Sequence, residues 1–213
     1  DSLAHELELH YLRNPEPGLL FALVTDFRDA ESQSLPEDED LVQYATAVIE
    51  GLNVKYKNSS PSGDAGEVSG DGRGEGAHQH GPRLFYFLHR KRLWNPAEGK
   101  WIGWERKRGK LEELNQLIDG TRPEGLDPLV LVGEARHLAD VRFVITLDSD
   151  TQLPSGTARR LIETLAHPLN QPRFDDEGRI LAGSYTIIQP RVSPSLPSTS
   201  GSLRSNARGG VRR

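Results

Sequence analysis

The chain has 213 residues, a formal charge of −5, 35% hydrophobic residues and no cysteine. That length supports one domain with a real core, while the lack of cysteine excludes a disulfide framework and a thiolate metal site. The negative charge argues against nucleic acid as the main partner, and no apolar run approaches the ~18 residues that a membrane span needs.

The opening DSLAHELELH is charged and lacks the apolar centre of a signal peptide. Residues 1–13 read as a helix, with Leu3, Leu7, His10 and Tyr11 at helical spacing. Nothing before it supplies a cap or a first strand, so the sequence reads as starting in mid-domain. Asn14-Pro15-Glu16-Pro17-Gly18 stops the helix and turns the chain. Leu19 to Thr25 is an apolar strand that ends in Asp26. That carboxylate has two readings: a helix N-cap or Asx turn, and a nucleotide contact at the carboxyl end of a strand. After an acidic loop over 27–40, Leu41 to Asn53 is an amphipathic helix with Leu41, Tyr44, Ala45, Val48, Ile49 and Leu52 on one face. Residues 57–82 are mostly Gly, Ser, Asp and Glu. They cannot bury enough surface to offset their ordering entropy, and a disordered loop is expected. His78 and His80 lie within it and lack a third ligand nearby in sequence.

Leu84 to Leu88 is a further strand, followed by the basic run His89-Arg90-Lys91-Arg92. Trp94-Asn95-Pro96 begins a turn, and Trp101 and Trp104 beside Gly103 are either core anchors or platforms for a sugar ring. Residues 105–118 read as a helix with Leu111, Leu114 and Ile118 in a stripe. Gly109 is expected to precede the helix proper, where backbone N–H groups could face a phosphate. Arg106, Lys107, Arg108 and Lys110 crowd that end and oppose the helix dipole. Either an anion normally sits there, or the run is a solvated basic patch. A loop over 119–127 leads to a short apolar run at 129–132.

Val141 to Pro154 organises the rest. Phe143 to Leu147 has the composition of a buried strand, and it ends in Asp148 and Asp150. In a strand those two carboxylates would face the same way and repel each other. A divalent metal carrying a diphosphate would relieve that, since hard oxygen ligands suit Mg or Mn. The alternative is a solvated turn with Asp and Ser as caps. Phosphatases with a DxDx[TV] strand end do not match, because Gln152 stands where Thr or Val is required. A helix over 158–169 follows, with Leu161, Ile162 and Leu165 inward, then a strand over 180–189 ending at Pro190. The tail 193–213 is rich in Ser, Pro, Gly and Arg and is expected to be disordered.

This order of parts resembles the processive family-2-type glycosyltransferases of GT-A fold. Within them it is most similar to the glycosyltransferase region of bacterial cyclic β-1,2-glucan synthases. The resemblance rests on ELELHYLRNPEPGLLFALVTDF, RLWNPAEGKWIGWERKRGKLEELNQLI, FVITLDSDTQLP, ARRLIETLAHPLNQPRF and IIQPRVSPSLPS. It implies an α/β, Rossmann-like and mostly parallel sheet flanked by helices over residues 1–192, incomplete at both ends. It implies inverting glucose transfer from UDP-glucose to a growing β-1,2-glucan, on the cytosolic face of a bacterial inner membrane, within a membrane-bound parent protein. Carried over, Asp148 and Asp150 bind Mg or Mn and the diphosphate. Asp26 lines the nucleotide site, Lys107, Gly109 and Lys110 approach the donor, and Gln189, Pro190 and Arg191 are structural. No residue between Asp175 and Arg213 serves as the general base, and the tail GSLRSNARGGVRR departs from the family. The chain thus reads as a fragment, the donor half without the acceptor half. Two other readings stay open: a non-catalytic nucleotide-sugar-binding or assembly module, and an unrelated metal-dependent phosphotransfer enzyme.

Overall fold

The computed structural model describes residues 2–57, 83–122 and 130–192. The expected disordered stretches, apart from Lys57, lie outside these residues, as do His78 and His80. The chain divides into two units, Asp1–Glu163 and Thr164–Arg213.

The first unit is α/β. Its elements are α1 (Ser2–Arg13), β1 (Phe21–Asp26), α2 (Asp38–Lys55), β2 (Phe85–Arg90), β3 (Leu93–Asn95), β4 (Lys100–Ile102), α3 (Arg106–Ile118), β5 (Val130–Val132) and the start of α4 (Thr157–Ala166), with a 3-10 turn at Ala135–Leu138. β2 is central: it pairs with β1 in parallel and with β5 antiparallel. All six of its residues are buried. Strand alternation divides them between two faces. Phe85 and Phe87 pack with Leu7, Ile49 and Leu52 of α1 and α2. Tyr86 and Leu88 pack with Leu114 of α3 and Leu138 of the 3-10 turn. A strand covered on both faces reads as a continuous apolar run, and FYFL is one.

The helices follow from their sequences. Three acidic residues, Asp38, Glu39 and Asp40, open α2, where the dipole favours them. Only the Ala45, Ile49 and Leu52 side of α2 reaches the core; Leu41 and Tyr44 stay exposed. Asn14, fully buried, does more than end α1. Its Oδ1 accepts the Ala158 N–H at 3.1 Å and so caps α4 from 144 residues away.

Three expectations fail here. The sheet is mixed rather than mostly parallel, since β5 runs antiparallel to β2. Residues 141–148 form no strand, although their side chains alternate between half-buried and exposed. Their β-branched composition favours an extended chain, but a strand also needs a ladder partner, and none of the described residues pairs with them. Residues 180–189 form no strand either; among the described residues of that second unit there is one isolated bridge, between Phe174 and Ile180. In turn, the sequence reading missed β3 and β4, whose three-residue strands are too short to show periodicity. No helix among the described residues is long and apolar enough to cross a membrane.

Candidate functional site

Parallel register sets Asp26, the last residue of β1, beside Arg90, the last residue of β2. Arg90 is buried, and its guanidinium has three partners. Nε donates to Asp26 Oδ1 at 2.6 Å, Nη1 to Glu113 Oε1 at 2.8 Å and Nη2 to the Arg106 carbonyl at 3.0 Å. Burial penalises its charge, but the bonds to Asp26 and Glu113 outweigh that, and its pKa is raised. Lys110 Nζ lies 3.1 Å from the other Asp26 oxygen. Both carboxylate oxygens of Asp26 are therefore engaged by cations from β2 and α3.

Above this pair, the chain enters α3 through a strained turn. Glu105 and Arg106 hold φ of 50° and 47°, a left-handed conformation that costs ~1–3 kcal/mol per non-glycine residue. Gly109 does not precede the helix. It lies in the first turn, with its N–H donated to the Glu105 carbonyl at 3.2 Å. That N–H is not free to face a phosphate. Glycine is required there because an added Cβ would sit 2.0 Å from the Trp104 carbonyl oxygen.

The four cations at this helix end each meet a carboxylate. Arg106 reaches Asp29 at 2.9 Å and Glu98 at 2.7 Å, Arg108 reaches Glu105 at 3.5 Å, Lys110 reaches Asp26, and Lys107 pairs with Asp148. The anion that this charge pattern calls for is supplied by the protein's own side chains. The contacts of Arg106, Lys107 and Arg108 are exposed, so solvent screens them and each contributes little.

The Lys107–Asp148 contact brings the basic helix end and the Asp-Ser-Asp segment together. Asp148 and Asp150 are not same-face strand residues. They are the first and third residues of a turn closed by the Thr151 N–H on the Asp148 carbonyl at 2.9 Å, and both are exposed. Among the described residues no three His, Cys, Asp or Glu side chains cluster as a metal cage. A Mg-like ion that keeps its waters and shares a phosphate needs only one or two carboxylates, and Asp148 and Asp150 are two exposed ones in one turn.

Trp101 is half-buried, with its ring 5.7 Å from that of Trp94, whereas Trp104 is 46% exposed. Gln189, Pro190 and Arg191 fall in the second unit, outside regular structure. The sequence reading missed Arg90 and Glu113. A run such as His89-Arg90-Lys91-Arg92 normally signals a solvated patch, yet Arg90 and Arg92 are buried.

His89 is buried beside them. Its Nδ1 shares a 2.7 Å hydrogen bond with the Thr25 hydroxyl, and its Nε2 has no partner among the described residues. Burial lowers its pKa from the ordinary 6.5, against the pull of Asp26 and Asp38; His10 is lowered for the same first reason. Both histidines release their protons more readily folded than unfolded. Their contribution to stability is complete above pH 6.5 and is lost as pH falls from 6.5 through the folded values. The melting temperature should therefore fall between pH 7 and 5, and His89→Gln should flatten that slope. Melts followed by circular dichroism check this; equal slopes in both proteins would refute it.

No protein-family model matches the chain. Along most of its length, however, the chain is homologous to a bacterial glucan synthase. That relative is the cyclic beta-(1,2)-glucan synthase NdvB of Rhizobium meliloti (strain 1021), 40% identical over 196 residues. The homology supports the family to which the motifs pointed, the cyclic β-1,2-glucan synthases. The match takes in 92% of this chain and 6% of the length of the relative.

Proposed function

We propose that this chain carries the donor-binding part of a glycosyltransferase, within a GT-A-like α/β domain that uses UDP-glucose and a divalent metal. The observation that carries the reading is the meeting of Lys107 with Asp148, 41 residues apart in sequence. Two segments nominated separately for the donor diphosphate thus share one exposed edge. Asp148 and Asp150 would hold Mg or Mn. When bound, that ion neutralises charge on the departing UDP. Lys107 adds a second positive charge to the diphosphate, and Lys110, tethered to Asp26, holds a third nearby. No residue of the chain is assigned to deprotonate the acceptor hydroxyl. Inverting transfer, the β-1,2 linkage, a growing glucan as acceptor and a place on the cytosolic face of a membrane-bound parent come to the proposal from the family resemblance.

Calorimetric titration of UDP-glucose into the full chain, with and without Mn, tests the reading. Binding should require Mn and disappear in Asp150→Ala. Absence of heat from a folded sample, or binding indifferent to Mn, would overturn it. Metal-independent binding would favour a nucleotide-sugar-binding module, and phosphatase turnover would favour phosphotransfer.

A further inference from the structure

We infer that Asp26 and Arg90 form a buried latch that aims the Lys107–Lys110 turn of α3, so that both are positioning residues and Asp26 does not read the nucleoside. Four separate observations converge on this. First, Arg90 joins three groups on two elements through one planar guanidinium: Asp26 on β1, Glu113 in the body of α3 and the carbonyl of Arg106 at the first residue of α3. A guanidinium fixes direction as well as charge, which a lysine in its place would not. Second, Asp26 has its two oxygens on Arg90 and Lys110 and is 14% exposed at its side chain. Third, an added Cβ at Gly103 would lie 2.8 Å from Asp26 Cγ, so the chain leading into α3 runs directly over that carboxylate. Fourth, the left-handed pair Glu105 and Arg106 needs outside support, and it has some. The Arg106 N–H donates to the Gly103 carbonyl at 2.9 Å, and the Arg106 carbonyl accepts from Arg90.

The result is a stack at the carboxyl end of β1 and β2: Arg90 below, Asp26 beside it, the Gly103–Arg106 turn above, and Lys107 and Lys110 leaving that turn. Loosening any lower member should disturb where the two ammonium groups point. The part of the inference that concerns ligand rests on the donor-site proposal; the part that concerns α3 does not.

The test separates the two. Amide hydrogen exchange on the full chain, without ligand, comes first. In Asp26→Asn and Arg90→Lys, amides of residues 109–112 should exchange at least ~10-fold faster, while those of α2 hold their rates. Unchanged exchange in α3 would overturn the latch. Should either variant fail to fold, Gly103→Ala is the milder displacement of Asp26 and should show the same local loosening. Titration with Mn plus pyrophosphate, and separately with uridine, follows. Asp26→Asn and Arg90→Lys should each weaken pyrophosphate ~10-fold, leave uridine unchanged, and in combination lose no more than either alone. A loss of uridine binding in Asp26→Asn that Arg90→Lys does not share would overturn the positioning role. If the unsubstituted chain binds neither probe, the donor-site reading fails, and the exchange data alone decide the latch.

Discussion

Arg92→Ala should lower stability by ~3–5 kcal/mol, read as a shift in urea midpoint at constant slope. Arg92 is 2% exposed. Nε donates to the Arg28 carbonyl at 2.5 Å, Nη1 to the Gln33 carbonyl at 3.2 Å, and Nη1 and Nη2 both reach Asp38. Its guanidinium also lies 4.6 Å from the centre of the Phe27 ring. The whole connection from β1 to α2 is thus wound around one cation. Alanine would strand the Asp38 carboxylate at the start of α2 with only the Leu35 N–H at 2.8 Å. Two backbone carbonyls would lose their donors as well. Lysine should recover only part of the loss, since one ammonium cannot span four acceptors in fixed directions. A second readout is pH. The Arg92 hydrogen bond holds the Asp38 carboxyl below its ordinary 3.8. The pair therefore stabilises the fold above pH 3.8, and that contribution is lost as pH falls further. The acid limb of the stability curve should be shallower in Arg92→Ala. A midpoint shift equivalent to under ~1 kcal/mol would show that water replaces the guanidinium without cost.

The features legible in the sequence are those set by neighbours along the chain. α2, β1, β2 and α3 all lie where apolar spacing puts them, within a few residues. The failures share a cause, which is dependence on partners far away in sequence. Residues 143–147 have the composition of a strand, but a ladder is a property of two segments. Asp148 and Asp150 accordingly sit in a turn. Arg90 and Arg92 follow the same logic. Their partners Asp26 and Asp38 lie 64 and 54 residues upstream, so a local reading sees only a basic run. In sequence Gly109 reads as a phosphate contact ahead of the helix; in the fold it has another part. It makes room for the Trp104 carbonyl within the first turn of α3, and its own N–H is already used. For the site, sequence supplied Lys107 and Asp148 as separate candidates. Their contact belongs to the fold, and Arg90, which supports the turn beneath Lys107, carried no local signal at all.

Lys107→Met should shift two ligands in opposite directions. Lys107 Nζ and Asp148 are more than half exposed, at 62% and 59% of their side chains. An exposed pair of this kind contributes ~0–1 kcal/mol, so it opens readily. If Asp148 is a metal ligand, the ammonium competes with the ion for the same oxygen and also repels it. Methionine keeps the length of the side chain and removes the charge. Mn alone, followed by the loss of its free-ion electron paramagnetic signal, should bind ~2–5-fold more tightly. UDP in saturating Mn should bind ~10–100-fold more weakly, because a charge-assisted bond to the diphosphate, worth ~1.5–3 kcal/mol, is gone. The gain for Mn should shrink as salt rises from ~0.01 to ~0.1 M, where the screening length falls from ~30 to ~10 Å. Asp148→Asn supplies the contrast, losing both ligands together. Parallel losses in Lys107→Met would mean that the lysine steadies the Asp148–Thr151 turn rather than trading places with the ion. The exchange from carboxylate to diphosphate would then be wrong, although the two segments would still share one site.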